Sequence, residues 1–159
     1  MGLIVPREAF SVFRDSLDAA RLVFTNGCFD LLHSGHLTLL NHAAALGDAL
    51  VVGLNSDASV RCLKGPERPV VSQQERAQIL AALRCVDFII IYEEEQATET
   101  IRAVRPHIYV KGGDYRRDEI PEVPLVEALG GEVVLVPHVP GRSTTRIIND
   151  VRTRADDTT

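Results

Sequence analysis

Lysine is scarce in this chain: fifteen arginines accompany only Lys64 and Lys111. A GC-rich genome that uses arginine for surface charge explains the bias blandly. The functional reading is a lysine kept for its compact cation, and each of the two stands beside a glycine in a predicted loop. Cysteine is sparse too. Cys28, Cys62 and Cys85 are widely spaced and odd in number, which excludes a disulfide framework or a zinc site and fits reduced thiols. No apolar run approaches the roughly 18 residues of a membrane span. The first ten residues carry Arg7 and Glu8 and no apolar signal core, so secretion is not expected and the cytoplasm is. A basic surplus is also missing. The formal charge of −5 excludes a general nucleic-acid binder, though not a small anionic ligand, which responds to local cations.

What is present is ordinary for a globular protein. The 159 residues are 45% hydrophobic and 25% charged, enough for one domain with a core that needs no staples. A single domain over 1–159 is expected, with a helical extension in 1–20 and a frayed tail in 152–159.

Strand-like and helix-like segments alternate. Apolar runs at 21–26, 49–54, 87–91, 108–110 and 133–136 predict five strands. Helices are expected at 7–19, 35–46 (Leu37, Leu40 and Ala44 apolar), 97–104, 123–129 and 143–151, with a polar loop over 55–69. Ser72 and Glu75 form a capping box for a further helix with Ile79, Leu80 and Leu83 on its apolar face. Short apolar strands separated by helices predict an α/β fold: a parallel five-stranded sheet with helices on both faces. Ligands of such sheets bind beyond the carboxyl ends of the strands where strand order reverses. That places the site after the strands ending near Asn26, Leu54 and Val110.

The segment after the first strand carries the chemistry. It reads Thr25-Asn26-Gly27-Cys28-Phe29-Asp30-Leu31-Leu32-His33-Ser34-Gly35-His36. Gly27 allows a tight turn, and Gly35 lets the next helix approach a ligand without a side chain between them. Unpaired amides and the positive end of that helix make an anion site. His33 and His36, three apart, lie on one side of the first helical turn and can both aim a ring nitrogen at one phosphate.

This string resembles the signature of the cytidylyltransferase-like nucleotidyltransferases, whose fold is Rossmann-like. Within that superfamily, Phe24-Thr25-Asn26-Gly27-Cys28-Phe29-Asp30 is similar to the heptose 1-phosphate adenylyltransferase branch, the adenylyltransferase half of bifunctional heptose enzymes. Further matches are Leu63-Lys64-Gly65, Arg68-Pro69-Val70, Val110-Lys111-Gly112-Gly113-Asp114-Tyr115 and Ser143-Thr144-Thr145, so the resemblance covers roughly 23–151. The Lys-Gly-Gly-Asp-Tyr string favours the heptose branch over glycerol-phosphate or choline-phosphate cytidylyltransferases. The sugar kinase domain often fused to this family is not in this sequence, and a separate kinase is expected to supply the phosphate.

The resemblance implies roles for named residues. Thr25, Asn26, Gly27, Cys28, Phe29, Gly35, Asn55, Lys111, Gly112, Gly113 and Asp114 would surround the nucleotide, with the glycines admitting a flat base. Ser143, Thr144 and Thr145 open the last helix, where hydroxyls and amides would take the outgoing phosphates; a plain N-cap is the structural alternative. His33, His36 and Lys64 would be catalytic, Lys64 also closing over both substrates. Arg76 and Arg142 would hold phosphate, although Arg76 is unusual company for the positive end of a helix. Asp57 is either a ribose or metal contact or a cap, and Asp30 either touches ligand or braces its turn.

The implied reaction transfers AMP from ATP to a sugar 1-phosphate by in-line displacement, with no covalent intermediate. Mg²⁺ is expected with ATP, held by substrate oxygens and water and by no protein ligand. The resemblance also implies a homodimer. A cytidylyltransferase for glycerol 3-phosphate and a non-catalytic nucleotide-binding module are the alternatives.

Overall fold

A computed structural model of the chain describes residues 1–17, 20–137, 141 and 143–156. Six strands, β1 (Leu3–Ile4), β2 (Leu22–Gly27), β3 (Ala49–Asn55), β4 (Phe88–Tyr92), β5 (Ile108–Gly112) and β6 (Glu132–Val136), form one parallel sheet in the order β1-β4-β3-β2-β5-β6. The fold is α/β and Rossmann-like, as the alternation predicts, with one strand more than the five expected. β1 pairs only Leu3 with Phe88 and Ile4 with Ile89. Two residues carry no readable period.

Seven helices occur among the described residues: α1 (Arg7–Phe13), α2 (Ser34–Ala44), α3 (Asp57–Lys64), α4 (Gln73–Ala81), α5 (Thr98–Val104), α6 (Val123–Ala128) and α7 (Thr144–Asp156). Three depart from expectation. The front helix ends at Phe13 and tightens into a 3₁₀ turn, Arg14–Leu17. The predicted loop over 55–69 contains α3, which Ser56 caps by accepting the Ser59 N–H at 3.2 Å. The final helix runs to Asp156, where fraying was expected from 152.

The sheet sorts its side chains with period two. Val23, Val52, Ile89 and Val110 point to one face, where they meet Leu40 and Ala43 of α2 and Ala77, Leu80 and Ala81 of α4. Phe24, Val51, Ile90 and Tyr109 point to the other, against Phe10 of α1, Ile101 of α5 and Val126 of α6. Each such large apolar side chain stabilises the fold by about 1.5–3 kcal/mol through burial. The expected apolar faces need correcting in detail: Leu37 and Ile79 are exposed, and Ala43 and Ala77 occupy the inward positions instead.

Chain order runs outward from β2 through β3 to β4, then returns to β5 on the other side of β2. The reversal leaves a crevice at the carboxyl ends of β2 and β5.

Candidate active site

A cleft of about 470 Å³ opens at that crevice, a size that suits a small ligand. The residues just after β2, β3 and β5 meet there, as the strand-order rule requires. Asn26, Gly27, Cys28, Phe29, His33, Gly35 and His36 line it from β2 and α2. Asn55 and Lys64 enter from the β3 side, Lys111, Gly112 and Gly113 from β5, and Ser143, Thr144 and Thr145 from the start of α7.

The two histidines form the entry to α2. His33 is the N-cap, and its Nδ1 accepts the Gly35 N–H at 3.1 Å, while the Nδ1 of His36 accepts the His33 N–H at 3.4 Å. Their rings stack with centroids 3.9 Å apart and planes 22° from parallel. An Nδ1 that accepts a hydrogen bond leaves Nε2 to carry the proton of the neutral ring. The turn therefore sets both imidazoles as Nε2–H donors at the start of α2, where the expected unpaired amides of Gly35, His36 and Leu37 are instead taken up by His33. Phe29, in the left-handed region at φ 43°, lays its ring 5.2 Å from that of His36. The left-handed residue of the turn is thus Phe29. Gly27 serves otherwise: a Cβ there would stand 3.2 Å from the Phe29 ring.

Asp30 braces this turn. Its Oδ1 accepts the Val70 and Val71 N–H groups at 2.8 and 3.0 Å, and its Oδ2 takes Arg68 Nε at 2.6 Å. Burial pushes the carboxyl up, but the amides of Val71 and Val70 and the Arg68 guanidinium outweigh it and hold it below its ordinary value. Arg68 and Asp30 line the cleft, yet the carboxylate is engaged with protein donors.

Arg76 does not reach the cleft. Its side chain is 0% exposed, donating from Nε to Val71 O at 2.9 Å, from Nη1 to Cys28 O and Asn55 O at 2.5 and 2.9 Å, and from Nη2 to Asp57 Oδ1 at 2.7 Å. The expected phosphate contact is replaced by a clamp that ties the ends of β2 and β3 to α3 and α4. That engagement also accounts for Asp57, and explains a cation in the first turn of α4. Thr25 is wholly buried and Asp114 is exposed outside the cleft lining, so neither meets the expected ligand position. Arg142 lies outside the described residues.

Other expected residues arrive with partners. Asn55 is buried and donates from Nδ2 to Ser59 Oγ at 2.9 Å. Ser143 accepts the Arg146 N–H at 3.2 Å, so it does cap α7 while lining the cleft. Thr144 donates to Leu31 O at 3.3 Å. Lys64 is the last residue of α3, exposed at the cleft. Gly112 admits a close approach: a Cβ there would lie 2.9 Å from Leu39 Cδ2 on α2. Burial pushes the Cys28 thiol up, and Lys64, Arg76 and Arg68 only partly offset that, so it is no ready nucleophile.

The opposite sheet face contributes a polar network that sequence reasoning missed. Asn26 donates to Tyr92 OH at 2.9 Å and accepts from Tyr109 OH at 2.7 Å and Lys111 Nζ at 3.3 Å, while Lys111 also donates to Tyr109 OH at 3.2 Å. Tyr92, Glu95, Arg68 and Glu122 all line the cleft. Tyr92 closes β4 and was findable from the strand-end rule. Glu122 precedes a helix at an unremarkable position, and nothing in the sequence marks it.

Residues 24–150 match the cytidylyltransferase-like family. The chain belongs to that family. It is a nucleotidyltransferase. It is 58% identical over 134 residues to the bifunctional protein HldE of Pelobacter propionicus, covering 84% of this chain and 28% of that one. Against HldE of Syntrophotalea carbinolica it is 53% identical over 146 residues, covering 89% and 30%. The chain thus spans less than a third of the length of these relatives. The crystal structure of a lipopolysaccharide core biosynthesis protein from Thermoplasma volcanium superposes with a TM-score of 0.63 at 31% identity, over 76% of this chain and 97% of that one. A pantoate-beta-alanine ligase from Francisella tularensis shares the fold alone, with a TM-score of 0.62 at 16% identity over 91% and 69% of the two chains. No helix among the described residues is long and apolar enough to cross a membrane.

Proposed function

We propose that this nucleotidyltransferase moves AMP from ATP to a sugar 1-phosphate, D-glycero-D-manno-heptose 1-phosphate, giving ADP-heptose and pyrophosphate. The observation that carries the reading is the convergence on one cleft of the stacked histidines, Lys64 and the Ser143-Thr144-Thr145 helix start. The strong similarity to the bifunctional HldE proteins supports the heptose acceptor.

A phosphate oxygen of the sugar attacks the α-phosphorus of ATP. The new O–P bond forms as the bond from that phosphorus to the α,β-bridging oxygen breaks, and pyrophosphate leaves opposite the nucleophile. The attacking phosphate is already ionised, so no general base is required. Catalysis then rests on positioning and on donors aimed at growing negative charge. The Nε2–H groups of His33 and His36 serve the α-phosphate and the bridging oxygen. Lys64 offsets repulsion between the two anions, and the amides and hydroxyls that open α7 receive the departing phosphates. The bare peptides of Gly112 and Gly113 border the base.

Mg²⁺ bound to the triphosphate would lower its charge. No cluster of three His, Cys, Asp or Glu side chains suited to a metal occurs among the described residues, and the Asp30 oxygens already have protein donors. The reading also places the enzyme in the cytoplasm, where ATP and sugar phosphates are made.

A panel of ATP and CTP against heptose 1-phosphate, other hexose 1-phosphates and glycerol 3-phosphate, scored by pyrophosphate release, tests the proposal. Turnover is expected with ATP and the heptose phosphate. Preference for CTP and glycerol 3-phosphate overturns the substrate assignment, and nucleotide binding without turnover on any acceptor overturns the catalytic one.

A further inference from the structure

The cleft straddles the carboxyl edge of the sheet and has two unlike lobes. On the α2 side lie the histidines, Leu39 packed on Gly112, and the mouth of α7. On the side of α5 and α6 lie Asn26, Tyr92 and Lys111, following the period-two alternation that puts them with Phe24, Ile90 and Tyr109. Phosphate machinery occupies the first lobe. The second is lined by neutral hydroxyl and amide groups with a single ammonium.

Glu122 closes that second lobe. The residue is only 4% exposed and lines the cleft, and its Oε2 is buried without a hydrogen-bond partner among the described residues. It occupies the N-cap position of α6, but its side chain makes no capping bond. A buried carboxylate oxygen left without donors is costlier than a neutral orphan. It shares the cleft lining with Asn26, Tyr92 and Lys111 of the network. Lys111 has three N–H donors, of which Asn26 and Tyr109 take two.

Among the described residues the cleft wall therefore presents an acceptor without a donor on Glu122 and an N–H donor without an acceptor on Lys111. A hydroxyl group both donates and accepts, and a polyol offers several at fixed spacing. We infer that Glu122 and Lys111 bind hydroxyl groups of the acceptor sugar, and that Glu122 sets which sugar phosphate the enzyme accepts. The inference rests on the proposed transfer to a sugar phosphate. The amino edge of adenine would satisfy the same pair, and the KM for ATP separates that reading from this one.

The test compares wild-type protein with Glu122→Gln and Glu122→Ala on heptose 1-phosphate and on analogues that each lack one hydroxyl. Removing the hydroxyl that meets Glu122 is expected to lower kcat/KM of the wild type by about 10²-fold or more, because the carboxylate is again left without a donor. In Glu122→Gln the KM for the sugar phosphate should rise about 10-fold or more, with the KM for ATP unchanged, and the penalty for the same missing hydroxyl should shrink towards unity. The deoxy series on unmodified protein gives the answer even if both variants fold poorly. Wild type that tolerates every missing hydroxyl overturns the inference, as does a variant whose KM changes for ATP in place of the sugar. Wild type that turns over no sugar phosphate at all overturns the underlying transfer as well, and is told apart by that silence.

Discussion

His33 and His36 hold each other's place: the backbone N–H of His33 donates to the His36 ring, and the His33 ring takes the N–H of Gly35. Each Nδ1 is occupied by the helix start, so under the proposed function the donor each ring offers is Nε2–H. A side chain can then be chosen that keeps the structural half of an imidazole and removes the chemical half.

Asparagine places a carbonyl oxygen near the position of Nδ1 and nothing at Nε2. His36→Asn is expected to keep the cap and the fold while losing about 10²–10³-fold in turnover, the range for deleting one preorganised donor. Pyrophosphate release and a thermal melt measured on the same sample check it. Near-normal turnover removes His36 from the mechanism.

Asp30 predicts a pH-dependent stability. Its carboxyl is held below its ordinary value, with burial overcome by the Val71 and Val70 amides and Arg68. The stabilisation is present above the unfolded carboxyl pKa and is lost as pH falls through the lower folded value. Asp30→Asn should cost about 3–5 kcal/mol near neutrality, as for breaking a buried ion pair. The gap between variant and wild type should narrow in acid, which denaturant melts at several pH values would show.

Arg76 should behave as a structural residue. Arg76→Met leaves the acceptors Val71 O, Cys28 O, Asn55 O and Asp57 Oδ1 without their donor, and is expected to lose about 3–5 kcal/mol. Arg76→Lys should recover little, since an ammonium cannot fork across four acceptors. A phosphate contact would give the reverse: a raised KM with an unchanged melting temperature.

Lys111 supplies an alkaline limb. Burial lowers its ammonium below the ordinary lysine range, while Glu122 and Cys28 act to raise it. Activity that needs the protonated form should therefore fall at lower pH than the roughly 10.4 of a free lysine. Tyr92 and Tyr109, pushed up by burial, stay protonated across that window. Lys111→Met should abolish the limb together with most activity, and Glu122→Gln should move the limb lower still. A kcat/KM profile between neutral pH and pH 10 distinguishes these outcomes.

The alternation of apolar runs and the turn from Asn26 to His36 were readable because both are local. A buried strand needs only its own side chains, and a helix start that holds an anion needs only the residues that build it. Hence the parallel sheet, the placement of the cleft at the reversal of strand order, and the convergence of His33, His36, Lys64 and Ser143 could be anticipated. Arg76, Asp57 and Thr25 could not be placed correctly. Whether a guanidinium meets solvent or four backbone and carboxylate oxygens depends on elements far apart in the chain. The same holds for Asp30, whose role depends on a loop some 40 positions away. Tyr92 lay within reach of the strand-end rule, but its network with Asn26 and Lys111, and the place of Glu122, belong to tertiary structure. They become neighbours only when β2, β4 and β5 align their carboxyl ends, and burial without a partner, which singles out Glu122, is a property of packing and not of sequence order.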